Sequence, residues 1–381
     1  MITSILNSGF GHSVRFIAMV ENLRTYTDEQ VSCLVGDSMK NFIDMNVSKH
    51  NCNVYNLYHY HSFVSSKKKK LKTSIKTTDK RILHKIKTSS IVINDFFSNI
   101  NSLKNLFSDK TITSCLYHGD INIANSDDYK TASFKRLVSS TASRHNVFFH
   151  INLEHPQDKP NMKCAYIPIP IISRKVTMDK MTVNKVLGLS PDDQFILIHA
   201  GSAVMENVYK DLHDFYRAVN HLKLDYRIVI SSSLENNRFP FHPDIIRAPL
   251  FNNGINLINA SKLVVSKPGM GILQDCIAAK KPLLFLPGDF PERNLKIKLL
   301  NDLLSGNLPL IENISTQVLK ECIDQCFSIS HLYQSAYDKI PTNGGEILAK
   351  AINILKDTNK ADLQDTIAQI QQFSPFIDKP L

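Results

Sequence analysis

The sequence has no apolar run long enough to span a membrane, and its N-terminus lacks the charged and apolar regions of a secretory signal. The expectation is therefore an intracellular, cytoplasmic chain. Its seven cysteines (Cys33, Cys52, Cys115, Cys164, Cys276, Cys322 and Cys326) are an odd number and form no pair of closely spaced clusters. That pattern suits neither a zinc site nor a disulfide framework, so all seven read as reduced thiols. No internal repeat of solenoid period is present. Acidic residues are outnumbered, 35 against 45 basic ones, for a formal charge of +10. Part of this excess is local, in SSKKKKLKTSIKTTDKRILHKIK from Ser65 to Lys87. No aromatic residue interleaves with these lysines, which argues against a stacking platform for nucleic acid. Two readings of the segment stand: a surface for an anionic membrane or acceptor, centred on Lys67–Lys70, or a solvated loop.

At 381 residues and 43% hydrophobic, the chain is long and apolar enough for two cores. Its most informative stretch runs from Leu263 to Asn294. Leu263, Val264 and Val265 are too short a run for a helix and are followed at once by Lys-Pro-Gly, so they read as a buried strand. Gly269 and Gly271 then permit a sharp turn and close approach of a ligand. Ile272, Leu273, Cys276, Ile277 and Ala279 recur at helical spacing, and Leu283 to Leu286 returns to strand. A strand–glycine–helix–strand order is half of a doubly wound sheet. A ligand belongs off the carboxyl ends of its strands, and an anion such as a diphosphate belongs at the helix N-terminus. The same stretch also suits an ordinary turn with no ligand.

Ser266-Lys267-Pro268-Gly269-Met270-Gly271, then Asp275, Ala278-Ala279, Lys281-Pro282 and Pro287 followed by DFPERN, resemble the donor-binding signature of GT-B nucleotide-sugar glycosyltransferases. The similar groups are the macrolide type and the type that adds N-acetylglucosamine to the peptidoglycan precursor. GFGHSVR at the start, HAGSAV at 199–204 and TNGGEILAKAI at 342–352 extend the resemblance over nearly the whole chain. It implies two Rossmann-like α/β domains facing across a cleft: an acceptor domain over 1–170 and a donor domain over 171–355. A final helical segment, 356–381, crosses back to the first domain.

The resemblance also implies an inverting, metal-independent transfer of a sugar from a UDP- or dTDP-linked donor to an unknown acceptor hydroxyl. Gly201, Ser202, Ser266, Gly269, Met270 and Gly271 would line the diphosphate. Phe251, beside Leu250, would pack on the base. Asp275 would accept the ribose hydroxyls, or is simply an acid in the first turns of a helix. Glu292, with Asp289 and Asn294, would face the donor sugar.

Near the N-terminus, strand Thr3 to Asn7 leads into Gly9-Phe10-Gly11-His12 and a helix. The third glycine of a dinucleotide fingerprint is missing, although Asp37 falls where a ribose-binding acid would. The Gly-x-Gly-His-x-x-Arg form matches the acceptor loop of the glycosyltransferases better. An imidazole ordinarily titrates near ~6.5, which suits removal of a hydroxyl proton at neutral pH. His12 is thus the candidate general base, or else a loop residue that only binds. Asp95 or Asp120, each just past a predicted strand, would orient it or replace it. Arg15 would brace the loop or contact phosphate. Two other readings keep the same fold: a UDP-sugar hydrolase or epimerase, and a non-catalytic nucleotide-sugar-binding protein.

Overall fold

The structure, a computed structural model, describes residues 1–7, 9–65, 68–74, 80–97, 100, 107–118, 129–156, 162–199, 211–231, 239–288 and 291–377. The chain forms two compact units, Met1–Ile172 with Pro341–Leu381, and Ser173–Ile340.

The first unit runs β1 (Ile2–Leu6), α1 (Phe10–Leu23), β2 (Val31–Gly36), α2 (Asp37–Val47), β3 (Cys52–Ser65), β4 (Lys68–Ser74), α3 (Lys80–Lys87), β5 (Ile91–Asp95), β6 (Ile112–Tyr117), α4 (Tyr129–Ala142), β7 (Val147–Ile151) and β8 (Ala165–Ile169). Its sheet order is β4-β3-β2-β1-β5-β6-β7-β8. Every pair is parallel except β3 with β4. Strands β1, β2, β5 and β7 are buried along their whole length, as expected where helices cover both faces of a parallel sheet. One cluster joins Ile5, Leu34 and Val92 of the sheet to Ile82 and Ile86 of α3. Another joins Cys115, Tyr117 and Phe148 to Val138 and Ala142 of α4. Each such aliphatic side chain contributes about 1.5–3 kcal/mol on burial. Connections leave β1 toward β2 on one side and re-enter at β5 on the other, so the β1/β5 boundary is the topological switch point.

The second unit contains α5 (Lys180–Val186), β9 (Phe195–His199), α6 (Leu212–Asn220), β10 (Arg227–Ile230), β11 (Ile246–Arg247), α7 (Gly254–Ala260), β12 (Leu263–Ser266), α8 (Met270–Ala278), β13 (Leu283–Phe285), α9 (Pro291–Leu303), α10 (Thr316–Ser328) and α11 (Ser330–Tyr337). Its parallel sheet has the order β11-β10-β9-β12-β13, with the switch point between β9 and β12. The polar run after Pro287 is partly helical: α9 begins at Pro291, whose fixed φ and missing N–H suit a first helical position.

The chain then returns to the first unit with α12 (Gly344–Leu355) and α13 (Leu363–Gln371). This corrects the expected boundary at 355, because the return occurs one helix earlier, at Pro341. The buried face of α12 (Ile347, Leu348, Ala351, Ile352, Leu355) packs on α1. Gly344 N donates to Ile171 O, and Ser374 Oγ donates to Pro168 O at 2.5 Å. A Cβ on Gly344 would lie 2.0 Å from Pro170 O, a backbone atom with no room to yield. Gly344→Ala is therefore expected to destabilise the protein by about 1–3 kcal/mol or more. Gly345→Ala meets only the Asn22 side chain, at 3.0 Å, and should lose less. Urea midpoints for the two variants check this, and equal stability of parent and Gly344→Ala would remove the argument.

The lysine-rich segment is not a plain loop: Lys68–Ser74 pairs antiparallel with His59–Ser65 at the sheet edge. Lys67 lies outside the described residues.

Candidate functional site

Each switch point carries a cluster of polar residues. In the first unit Gly9 has φ +123°, a conformation that L side chains rarely adopt, and it delivers the chain into α1 at Phe10. His12 is thus in the first turn of a helix. Asp95 is the last residue of β5, the strand across the switch point. The residue after it, Phe96, is also left-handed, at φ +54°, a strained state for an aromatic residue. Its ring stacks on Tyr117 at 3.9 Å, and Asn94 Oδ1 accepts from Phe97 N at 2.8 Å, which together hold the bend that aims Asp95. His145 accepts from Asn94 Nδ2 at 3.1 Å and donates to Thr141 O, so this histidine is structural.

Asp95, 1% exposed, takes three contacts. His12 Nδ1 lies 2.9 Å from Oδ1, while Arg15 donates from Nη2 to Oδ1 at 2.7 Å and from Nε to Oδ2 at 3.2 Å. Arg15 Nη2 also lies 2.9 Å from His12 Nδ1. Burial alone would raise the carboxyl's pKa, but Arg15 and then His12 outweigh it and hold Asp95 below the usual carboxylate range. A carboxylate in that state is a poor base, which leaves Asp95 to orient His12 rather than replace it. Asp120, the other candidate, lies outside the described residues. His150 is buried and bonded to Tyr166 OH at 2.7 Å.

In the second unit the switch point is framed by the ends of β9 and β12. Ser266 was expected at the diphosphate, but its hydroxyl is 1% exposed at residue level and donates to His199 O at 2.6 Å. It ties two strand ends together. His199 bonds Ser231 Oγ through Nδ1 at 2.8 Å, and burial, with the Lys267 charge second, pushes its pKa down to about 4. It is neutral at physiological pH. Gly201 and Ser202 lie outside the described residues.

Gly269 precedes α8 with φ −157°, extended backbone open to any residue, and a Cβ there would meet only Ile272 Cγ2 at 3.8 Å and Lys267 O at 3.9 Å. The turn itself does not demand glycine. What the missing side chain leaves uncovered is the approach to a helix start that no side chain caps. Met270 is buried, so only its backbone can face that space. Gly271 is the second residue of α8.

Asp275, half-buried on α8, accepts from Ser173 Oγ at 2.6 Å. Burial pushes its carboxyl up to about 6, opposed by the Ser173 hydrogen bond and the Arg174 charge. Arg174 Nη1 donates to Asn252 O at 2.6 Å, next to half-buried Phe251. Asn253 and Asn256 tie down the following residues, through Lys175 O and the amides of Thr177 and Met178. Ser173 and Arg174 therefore flank Asp275 and the Asn252 backbone beside Phe251. No local pattern signals these contacts, since the residues lie 102 and 78 positions from their partners. Glu292 is in the first turn of α9, but only its backbone is described, and Asp289 lies outside the described residues. The Asn294 side chain rests against Gly288, where a Cβ would be 1.9 Å from its Oδ1.

No model of a known protein family matches the sequence, and no curated protein matches it. Solved structures do. A UDP-glucosyltransferase from Polygonum tinctorium capable of glucosylating indoxyl aligns with TM-score 0.63 at 11% identity, covering 94% of this chain and 98% of that one. A putative UDP-N-acetylglucosamine 2-epimerase from Listeria monocytogenes aligns with TM-score 0.57 at 12% identity, covering 93% and 94%. MurG from Acinetobacter baumannii aligns with TM-score 0.53 at 12% identity, covering 92% and 98%. At such identities the likeness is one of architecture, and it establishes that this chain has the GT-B fold, with two Rossmann-like units.

Proposed function

We propose that the protein is a glycosyltransferase that moves a sugar, with inversion, from a UDP- or dTDP-linked donor to an acceptor hydroxyl. The observation that carries this reading is His12, held through Nδ1 by a buried carboxylate at the switch point of a GT-B unit. No described residue bonds its Nε2, which is then available to an acceptor. In the proposed step Nε2 takes the acceptor's hydroxyl proton while that oxygen bonds to the anomeric carbon. The bond from that carbon to the diphosphate breaks, and the diphosphate leaves with the electron pair. Stabilisation of the departing charge falls to backbone amides at the start of α8 and to the nearby Lys267. Asp275 receives the ribose hydroxyls, and Phe251 packs against the base.

Incubation with a panel of nucleotide sugars, with and without candidate acceptor alcohols, tests the reading by its products. Transfer to an alcohol supports it. Release of free sugar or of an epimer as the only product would favour the hydrolase or epimerase reading, which the fold of the Listeria protein keeps in view.

Donor placement has its own check. A nucleotide at 100 times its Kd stabilises a protein by about 2.7 kcal/mol, so thermal shifts with UDP and dTDP report binding directly. Gly269→Val places a side chain in front of α8 without demanding a new backbone conformation. It is expected to abolish the shift while the unliganded melting temperature stays close to the parent's. An unchanged nucleotide shift in that variant would refute the placement.

Affinity should also depend on pH. With its pKa raised to about 6, Asp275 is protonated below that pH and ionised above it, and the ionised form is the better acceptor for two hydroxyls. Nucleotide affinity is expected to rise as pH increases through about 6, and this step should vanish in Asp275→Asn. A step that persists in the variant belongs to another group.

A further inference from the structure

Arg15 is a buried cation in an otherwise apolar stretch of α1, between Val14 and Phe16, and the proposed transfer step gives it no part. Its guanidinium grips both oxygens of Asp95, at 2.7 and 3.2 Å, and its Nη2 is as close to His12 Nδ1 as Asp95 is. We propose that Arg15 is a positioning residue for His12: by taking up the charge of Asp95 it keeps the imidazole neutral, with its proton on Nδ1 and the Nε2 lone pair free. This deepens the transferase reading and rests on it for the word base, but the geometry stands without it.

The proton's location follows from the nearly equilateral triangle of Nη2, Oδ1 and Nδ1. If Nδ1 were bare, its lone pair would face a carboxylate oxygen at 2.9 Å with no hydrogen between them. With the hydrogen on Nδ1, both nitrogen donors converge on the one acceptor present, which has lone pairs for both. The charge follows from the same contacts. Asp95 alone would stabilise an imidazolium, because an opposite charge at this distance favours the charged form. Arg15 already neutralises that carboxylate, and it places a second cation against the ring. Protonating His12 would leave net positive charge in a mostly buried cluster. The lowered pKa of Asp95, with Arg15 the larger of its two stabilising partners, agrees with this division.

The other titratable groups on neighbouring elements do not substitute for Arg15. On β6, Cys115 is a buried thiol whose pKa is pushed well up, so it stays neutral, and His118 follows the strand end. On α2, Phe42 meets Phe10 of α1 edge-on at 4.9 Å. Asp37 is exposed at its first turn, and Lys40 faces Asp44 at 3.9 Å. On α12, Glu346 bonds Lys350 and Tyr26, at the far end of α1.

Long-range ¹H–¹⁵N correlation spectra of the labelled full chain read both the tautomer and the titration midpoint of His12, and they need no substrate. The parent is expected to show the Nδ1-protonated neutral form. Arg15→Gln should raise the His12 midpoint by about one pH unit or more, since Asp95 then acts unopposed. Arg15→Lys, which keeps the charge, should stay within about half a unit of the parent. Should Arg15→Gln fail to fold, the double variant Arg15→Gln/Asp95→Asn removes both buried charges, and its midpoint should return to within about half a unit of the parent. An Nε2-protonated tautomer in the parent would overturn the proposal, because Arg15 would then be donating to Nδ1. So would an unchanged or lowered midpoint in Arg15→Gln, or a double variant displaced by a unit or more. Failure to find any glycosyl transfer would defeat the transferase reading and leave these spectra to decide the role of Arg15. Once a substrate is in hand, the acidic limb of kcat/KM should move upward in Arg15→Gln with the His12 midpoint, a shift that a purely structural residue would not produce.

Discussion

His12→Ala is expected to lower turnover by about 10² to 10⁴ while nucleotide affinity changes little. The size follows from the role: a positioned base acts only on the reacting hydroxyl, so its loss falls on kcat rather than on donor binding. The structure makes that role specific. Nδ1 is occupied by Asp95 at 2.9 Å, so the ring has one nitrogen left to present. The measurement is steady-state kinetics beside nucleotide-induced thermal shifts. Turnover that survives with only a raised acceptor KM would make His12 a binding residue. Asp95 could not then take its place as the base, because it is buried and its carboxylate is engaged by Arg15.

Asp95→Ala should be the most damaging single change to stability, at about 3–5 kcal/mol, because it strands the Arg15 guanidinium in a buried setting. The cost is that of an orphaned cation, not the net worth of the pair. Replacing both, as Asp95→Leu/Arg15→Met, is therefore expected to recover most of the loss. Acid should remove the same contribution. A carboxyl whose folded pKa is depressed stabilises fully above its unfolded value near ~3.9 and loses that contribution as pH falls through the folded value. Urea unfolding at pH 7 of parent, single and double variants is the test. A loss below about 1 kcal/mol in Asp95→Ala would mean that water or a neighbour satisfies Arg15 easily.

Much of the fold was legible because its signals are local. Buried strands such as Leu263–Ser266 read as short β-branched runs, and glycines mark the turns into α1 and α8. Even so, two glycines that look alike in sequence do different jobs. Gly9 is required by a positive φ, whereas Gly269 is in extended backbone and matters only for the space before it. Backbone torsion is a property of the folded turn, so residue type alone does not separate the two. Arg15 was visible as a charge interrupting an apolar helix face, three residues after His12, and that spacing was the one clue to its site.

The sequence by itself determined the two α/β units, the strand–glycine–helix order at each switch point, and His12 and Asp275 as the residues to follow. These depend on periodicity and on neighbours a few positions apart. Tertiary structure alone decided who partners whom. It joined Arg15 to Asp95 across 80 positions and Ser173 to Asp275 across 102, withdrew Ser266 into a strand-end tie, and sent α12 back to the first unit. The physical reason is common to all four. A buried polar group must find a partner and a buried apolar face must find a cover, and burial is set by how distant segments pack.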